Sequence, residues 1–141
     1  MAVSGSGSAF PYDGATTNIA FRDGIQNTLL FLEVRKPETA WTAPEDIDIN
    51  DLNAWMCSWF KSKEPPRFGP LVVFADGSVW RIAKPPPMET LFALATIAGA
   101  EDVTPNELEM AGMFVQLRKG RANRPGTESG PTGAQTPPRE R

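Results

Sequence analysis

The stretch "LVVFADGSVWRIA", residues 71–83, constrains the fold more than any other part of the chain. Two short β-rich runs flank Asp76-Gly77, and Asp-Gly in that setting is a strong short-range signal for a tight hairpin. A two-residue type I′ turn there pairs Phe74 with Val79, Val73 with Trp80, and Leu71 with Ile82. That register puts Leu71, Val73, Trp80 and Ile82 on one face and Val72, Phe74, Val79 and Arg81 on the other. Both faces then carry apolar residues, so the hairpin has to be packed on both sides or against a partner.

Helical patterns supply the packing. Leu52, Trp55, Met56, Trp59 and Phe60 fall at i, i+3, i+4, i+7 and i+8, the stripe of an amphipathic helix, with Asn53, Cys57, Ser58 and Lys61 on the other side. Asn50 reads as its N-cap, Asp51 puts negative charge in the first turn, and Pro65-Pro66 stop it. After a stiff run of prolines at 85–87, "METLFALATIAG" reads as a short helix stopped by Gly99. Thr104-Pro105-Asn106-Glu107 is a capping box with proline at the first helical position. It predicts a helix over residues 108–119, ended by basic residues and Gly120. Met110, Met113, Phe114 and Leu117 make its stripe, widened by Leu108, Ala111 and Val115, so that helix is expected in a core or an interface. Residues 18–36 hold a turn signal at Asp23-Gly24 and read as strands, although Ile25, Leu29 and Leu32 also fit a helical stripe.

Composition sets the outline. The chain has 141 residues. Residues 1–17 are small and polar, and residues 121–141 are almost wholly Pro, Gly, Ser, Thr and charge. Neither end buries enough apolar surface to offset the entropy of ordering it, so both read as disordered arms. Residues 18–120 remain as a small single α+β domain: a β-hairpin at about 71–82 packed on two or three short helices. A domain of that size can build a core without staples. Cys57 is the single cysteine. No intramolecular disulfide is possible, no secretory signal or membrane-spanning run is visible, and a cytoplasmic site is expected.

Chemistry is narrowed by what is missing. The chain has no histidine, which removes Ser-His-Asp and Cys-His arrangements and almost every zinc site. "DIDIND" at 46–51 begins like a calcium loop, but its sixth position is Asp51 rather than glycine and its twelfth is Cys57 rather than glutamate. A loop leading into a capped helix accounts for it better. No metal, no cofactor and no enzyme activity are expected. Charge is uneven around a net −3: Glu38, Glu45, Asp46, Asp48 and Asp51 are acidic together, whereas Arg118, Lys119, Arg121 and Arg124 form a basic cluster.

"NAWMCSWFKSKEPP" at 53–66 can be read three ways: as core, as an anchor for another subunit, or as a stacking surface for single-stranded nucleic acid. "AWMCSWFKSKEPPRFG" is similar to the tryptophan-rich segment and proline pair in coat proteins of flexible filamentous plant viruses. With "LVVFADGSVWRI" and the Pro-led helix it loosely resembles the potyvirus coat-protein core. The chain is shorter than that core and lacks its C-terminal half. A hairpin with two helices also resembles small phage tail-assembly or virion proteins. The expectation is a non-enzymatic structural or assembly protein of that virion or phage kind, in host cytoplasm or virion. It would act on other protein subunits as a homo-oligomer or larger assembly, with no membrane partner. The interface candidates are Trp55, Trp59, Phe60, Phe74, Met110, Met113 and Phe114. The alternative is a nucleic-acid-binding coat protein or nucleoprotein using Arg118, Lys119, Arg121 and Arg124 for phosphate.

Overall fold

A computed structural model of the chain describes residues 1–14, 16–35, 45–61, 63, 67–99 and 103–119. Its elements in order are β1 (Val3–Ser4), a 3₁₀ turn (Asn18–Ala20), β2 (Leu29–Leu32), β3 (Ile47–Asp48), a 3₁₀ turn (Ile49–Asp51), α1 (Leu52–Phe60), β4 (Leu71–Phe74), β5 (Val79–Ile82), α2 (Met88–Ala95), α3 (Pro105–Met110) and β6 (Phe114–Arg118). This is a small α+β domain. Four strands form an antiparallel sheet in the order β2-β4-β5-β6, and β1 pairs with β3 in a small parallel one. Residues 18–36 thus contain a strand at β2, where periodicity alone had left a choice.

The hairpin forms, but one residue out of the expected register. Val73 pairs with Val79, Val72 with Trp80 and Leu71 with Arg81. The loop is the three-residue kind, with Gly77 N–H donating to Phe74 O at 2.9 Å and Gly77 at φ +81°. Only one residue then needs positive φ. Two forces select this loop. Its amides are claimed by the preceding segment: Ala75 N–H donates to Thr28 O at 2.8 Å and Asp76 N–H to Ile25 O at 3.0 Å. The register also sends Val72, Phe74, Trp80 and Ile82 together to the inner face, each at most 2% exposed. A two-residue turn would have put Phe74 and Trp80 on opposite faces.

The helices close the inner face. Leu52, Trp55, Met56 and Trp59 of α1 and Leu91, Leu94 and Ala95 of α2 join the inner-face strand residues in one core cluster. The start of α1 is capped through its 3₁₀ turn by Asp48, whose Oδ1 accepts from Asn50 N–H at 2.7 Å, rather than by Asn50. Helix α2 ends at Ala95 with Thr96 extended, before Gly99.

Two further expectations are corrected. The capping box forms in both halves, yet its helix stops at Met110 instead of running to 119. Gly112, at φ +68°, donates to Glu109 O, and Met113 N–H reaches back to Leu108 O at 2.8 Å. That is a Schellman stop, and the β-prone residues after it become β6. The N-terminal residues are not a free arm. Val3 is fully buried, Ala9 is nearly so, and Leu32 N–H donates to Met1 O while the Met1 ammonium donates to Leu32 O. The C-terminal tail, 121–141, lies outside the described residues.

Candidate interaction surface

The register decides which side chains meet solvent. With Val72, Phe74, Trp80 and Ile82 inside, Leu71, Val73, Val79 and Arg81 point outward and are half-buried. Their neighbours extend the same face: Phe31 of β2 pairs with Val73, and Val115 of β6 pairs with Arg81. At the β6 bulge, the register jumps from Trp80–Gln116 to Val79–Arg118, which leaves Leu117 as the extra residue. Phe31 (42% exposed), Val115 (45%) and Leu117 (48%) are large apolar residues left open to solvent. An antiparallel sheet with one solvated face normally alternates apolar-in and polar-out. Here the outward positions are mostly apolar too.

The edges of the sheet differ. Residues Met1 and Ala2 seal β2 on its outer side. On β6 the Gln116 N–H donates to Glu109 Oε1 at 3.2 Å, which blunts the edge where α3 leaves it. Beyond that point the strand runs out to exposed Arg118 and Lys119. At the other end of the face Phe10 packs on Phe31, ring centroids 5.7 Å apart.

The sequence-predicted interface residues go elsewhere. Trp55 and Trp59 are core residues whose indole N–H groups both donate to Glu33 O, at 2.8 and 3.2 Å. Phe74, Trp80 and Phe114 form an interior ring cluster with centroids 6.4–6.5 Å apart. Phe60 and Met113 are partly buried against that core. Trp55, Trp59, Phe74 and Phe114 are thus buried in the core, where large aromatics supply much of the apolar burial. Met110 is exposed at 82%. Of the basic cluster, Arg118 and Lys119 are exposed, whereas Arg121 and Arg124 lie outside the described residues. Phe31, Phe68 and Arg81 are not among the sequence-predicted site residues; for Arg81 the signal is the hairpin register, which differs by one residue from the expected one.

The acidic end is built differently. Asp48 accepts from Asn50 and from the Tyr12 hydroxyl. A cavity of about 310 Å³ beside Met1 is lined by Val34, Arg35, Asp46, Asp51 and Trp55. Among the described residues no three of His, Cys, Asp and Glu converge on a metal position, and no helix is long and apolar enough to cross a membrane. Cys57 is half-buried on α1 with Sγ 3.8 Å from Asn53 Oδ1. Comparison with protein families, characterised proteins and solved structures finds no match.

Proposed function

We propose that the chain is a non-enzymatic structural or assembly protein, the class to which virion components belong, working in the cytoplasm through the outer face of its four-stranded sheet. The observation that carries this is the row Phe31, Val73, Val79, Val115 and Leu117, apolar and outward on one surface. The favoured occupant is a second copy of the chain. Its argument is charge complementarity: Asp46, Asp48 and Asp51 sit beyond β2, and Arg118 and Lys119 sit at the end of the opposite edge strand β6. Opposite sides of one molecule therefore suit each other.

Area sets the strength. Four strands at ~4.8 Å spacing and four residues at ~3.4 Å give a face of roughly 250–300 Å². Two such faces bury well under the ~1,200–2,000 Å² of a standard interface. A single contact is therefore weak, and association depends on concentration and repetition.

Sedimentation velocity tests this over a concentration series. The wild type is expected to shift to larger species as concentration rises, and Val115→Lys, which places a charge on the face without touching the core, is expected to stay monomeric. A wild type that remains a monomer throughout, or a Val115→Lys variant that associates equally well, overturns the proposal.

A further inference from the structure

One corner of the outer face carries an aromatic ring and two arginines that the apolar row does not include. Phe68 is 56% exposed. The Arg81 guanidinium carbon lies 4.8 Å from its ring centroid and that of Arg67 lies 5.4 Å from it. Both cations therefore share one ring, within about a Debye length of each other. Neither is held by a carboxylate among the described residues, and Arg81 Nε is buried without a hydrogen-bond partner. Glu33, near this side of β4, is turned into the ladder, its Oε2 accepting from Leu71 N–H at 2.9 Å.

The positive charge continues along the sheet. Arg81 pairs with Val115 and Val79 pairs with Arg118, so Arg118 lies one strand and two residues from Arg81, about 8 Å by strand geometry. Lys119 follows it. The acidic residues Asp48 and Asp51 sit on β3 and in the turn after it, beyond β1 and β2. Four strand spacings separate β3 from β5, which carries Arg81, roughly 20 Å and about two Debye lengths. An exposed ring beneath two guanidinium groups that no carboxylate among the described residues holds, on an open antiparallel sheet, offers a base a stacking surface and a phosphate two donors.

We propose that Arg67, Phe68 and Arg81 form a binding site for single-stranded nucleic acid, with Phe68 stacking a base and the two arginines, continued by Arg118, taking phosphates. This goes beyond the assembly reading and does not depend on it, since the site is complete in one chain. The ring tolerates any base, so the site is not sequence-specific.

The test is fluorescence anisotropy with a labelled oligo-dT of roughly 12 nucleotides, within the site sizes seen for sheet-based binders, using the full chain over a salt series. The wild type is expected to bind at low salt. Phe68→Leu is expected to weaken binding by about ten-fold or more at an unchanged salt slope, and Phe68→Tyr to restore it. Arg67→Gln with Arg81→Gln is expected to flatten the log–log salt slope by about 1.4, at ~0.7 for each of two phosphates left without its arginine. Thermal melting checks that each variant is folded. Absence of binding by the wild type overturns the proposal. So does loss on Arg121→Gln with Arg124→Gln but not on the Arg67 and Arg81 changes, which would move the binding to the tail. Dextran sulfate, a polyanion without bases, binding as tightly and indifferent to Phe68→Leu, would reduce the site to plain charge.

Discussion

At the scale of single residues, Gly69 is held by space rather than by backbone angle. A Cβ built there would sit 1.8 Å from Ile82 O and 3.3 Å from the Phe60 ring. That oxygen belongs to a core strand and cannot withdraw. Gly69→Ala is expected to destabilise the fold by at least about 3 kcal/mol, the top of the usual overpacking range, read as a fall in the urea midpoint at constant slope. A wild-type midpoint would mean that β5 shifts freely. Glu33 serves the fold with two groups: its carbonyl takes both α1 indoles and its carboxylate extends the β4 ladder. Nothing in the sequence around Glu33 announces either role. The stripe Leu52, Trp55, Met56 and Trp59 did announce itself, because a 3.6-residue period is readable without any partner.

At the scale of elements, one local signal held because its deciding bonds are local. In the capping box of α3, Thr104 Oγ1 accepts from Glu107 N–H at 3.3 Å, and Glu107 Oε2 accepts from Thr104 N–H at 3.1 Å. Thr104→Ala is expected to cost about 1 kcal/mol, measurable in chemical denaturation, and Thr104→Ser to recover most of it. A silent Thr104→Ala would show that α3 is held by Leu108 and Pro105 alone. The hairpin signal failed because a distant segment decided. The Asp-Gly hairpin took the longer loop because Thr28 and Ile25 accept its amides, and a one-residue slip exchanged the two faces. The last helix was over-extended because Met113 to Leu117 can serve either period. Gly112 was the stop signal in that stretch.

At the scale of the whole molecule, helices and sheet share one core, and the N-terminal residues belong to it through Val3. Far-UV circular dichroism and tryptophan fluorescence should therefore report one transition with coincident midpoints. Val3→Ala should lower both together by about 1–3 kcal/mol; separated midpoints would mean that the β1–β3 corner unfolds by itself. The composition of residues 1–17 concealed this, since three or four well-placed small side chains suffice to dock a strand. The same corner has a cost in time. The Ser4 hydroxyl donates to Ile47 O across 43 positions of chain, a gap that synthesis at ~5–20 residues per second takes about 2–9 s to cross. Through that interval β1 belongs to a nascent chain that does not yet contain its partner strand.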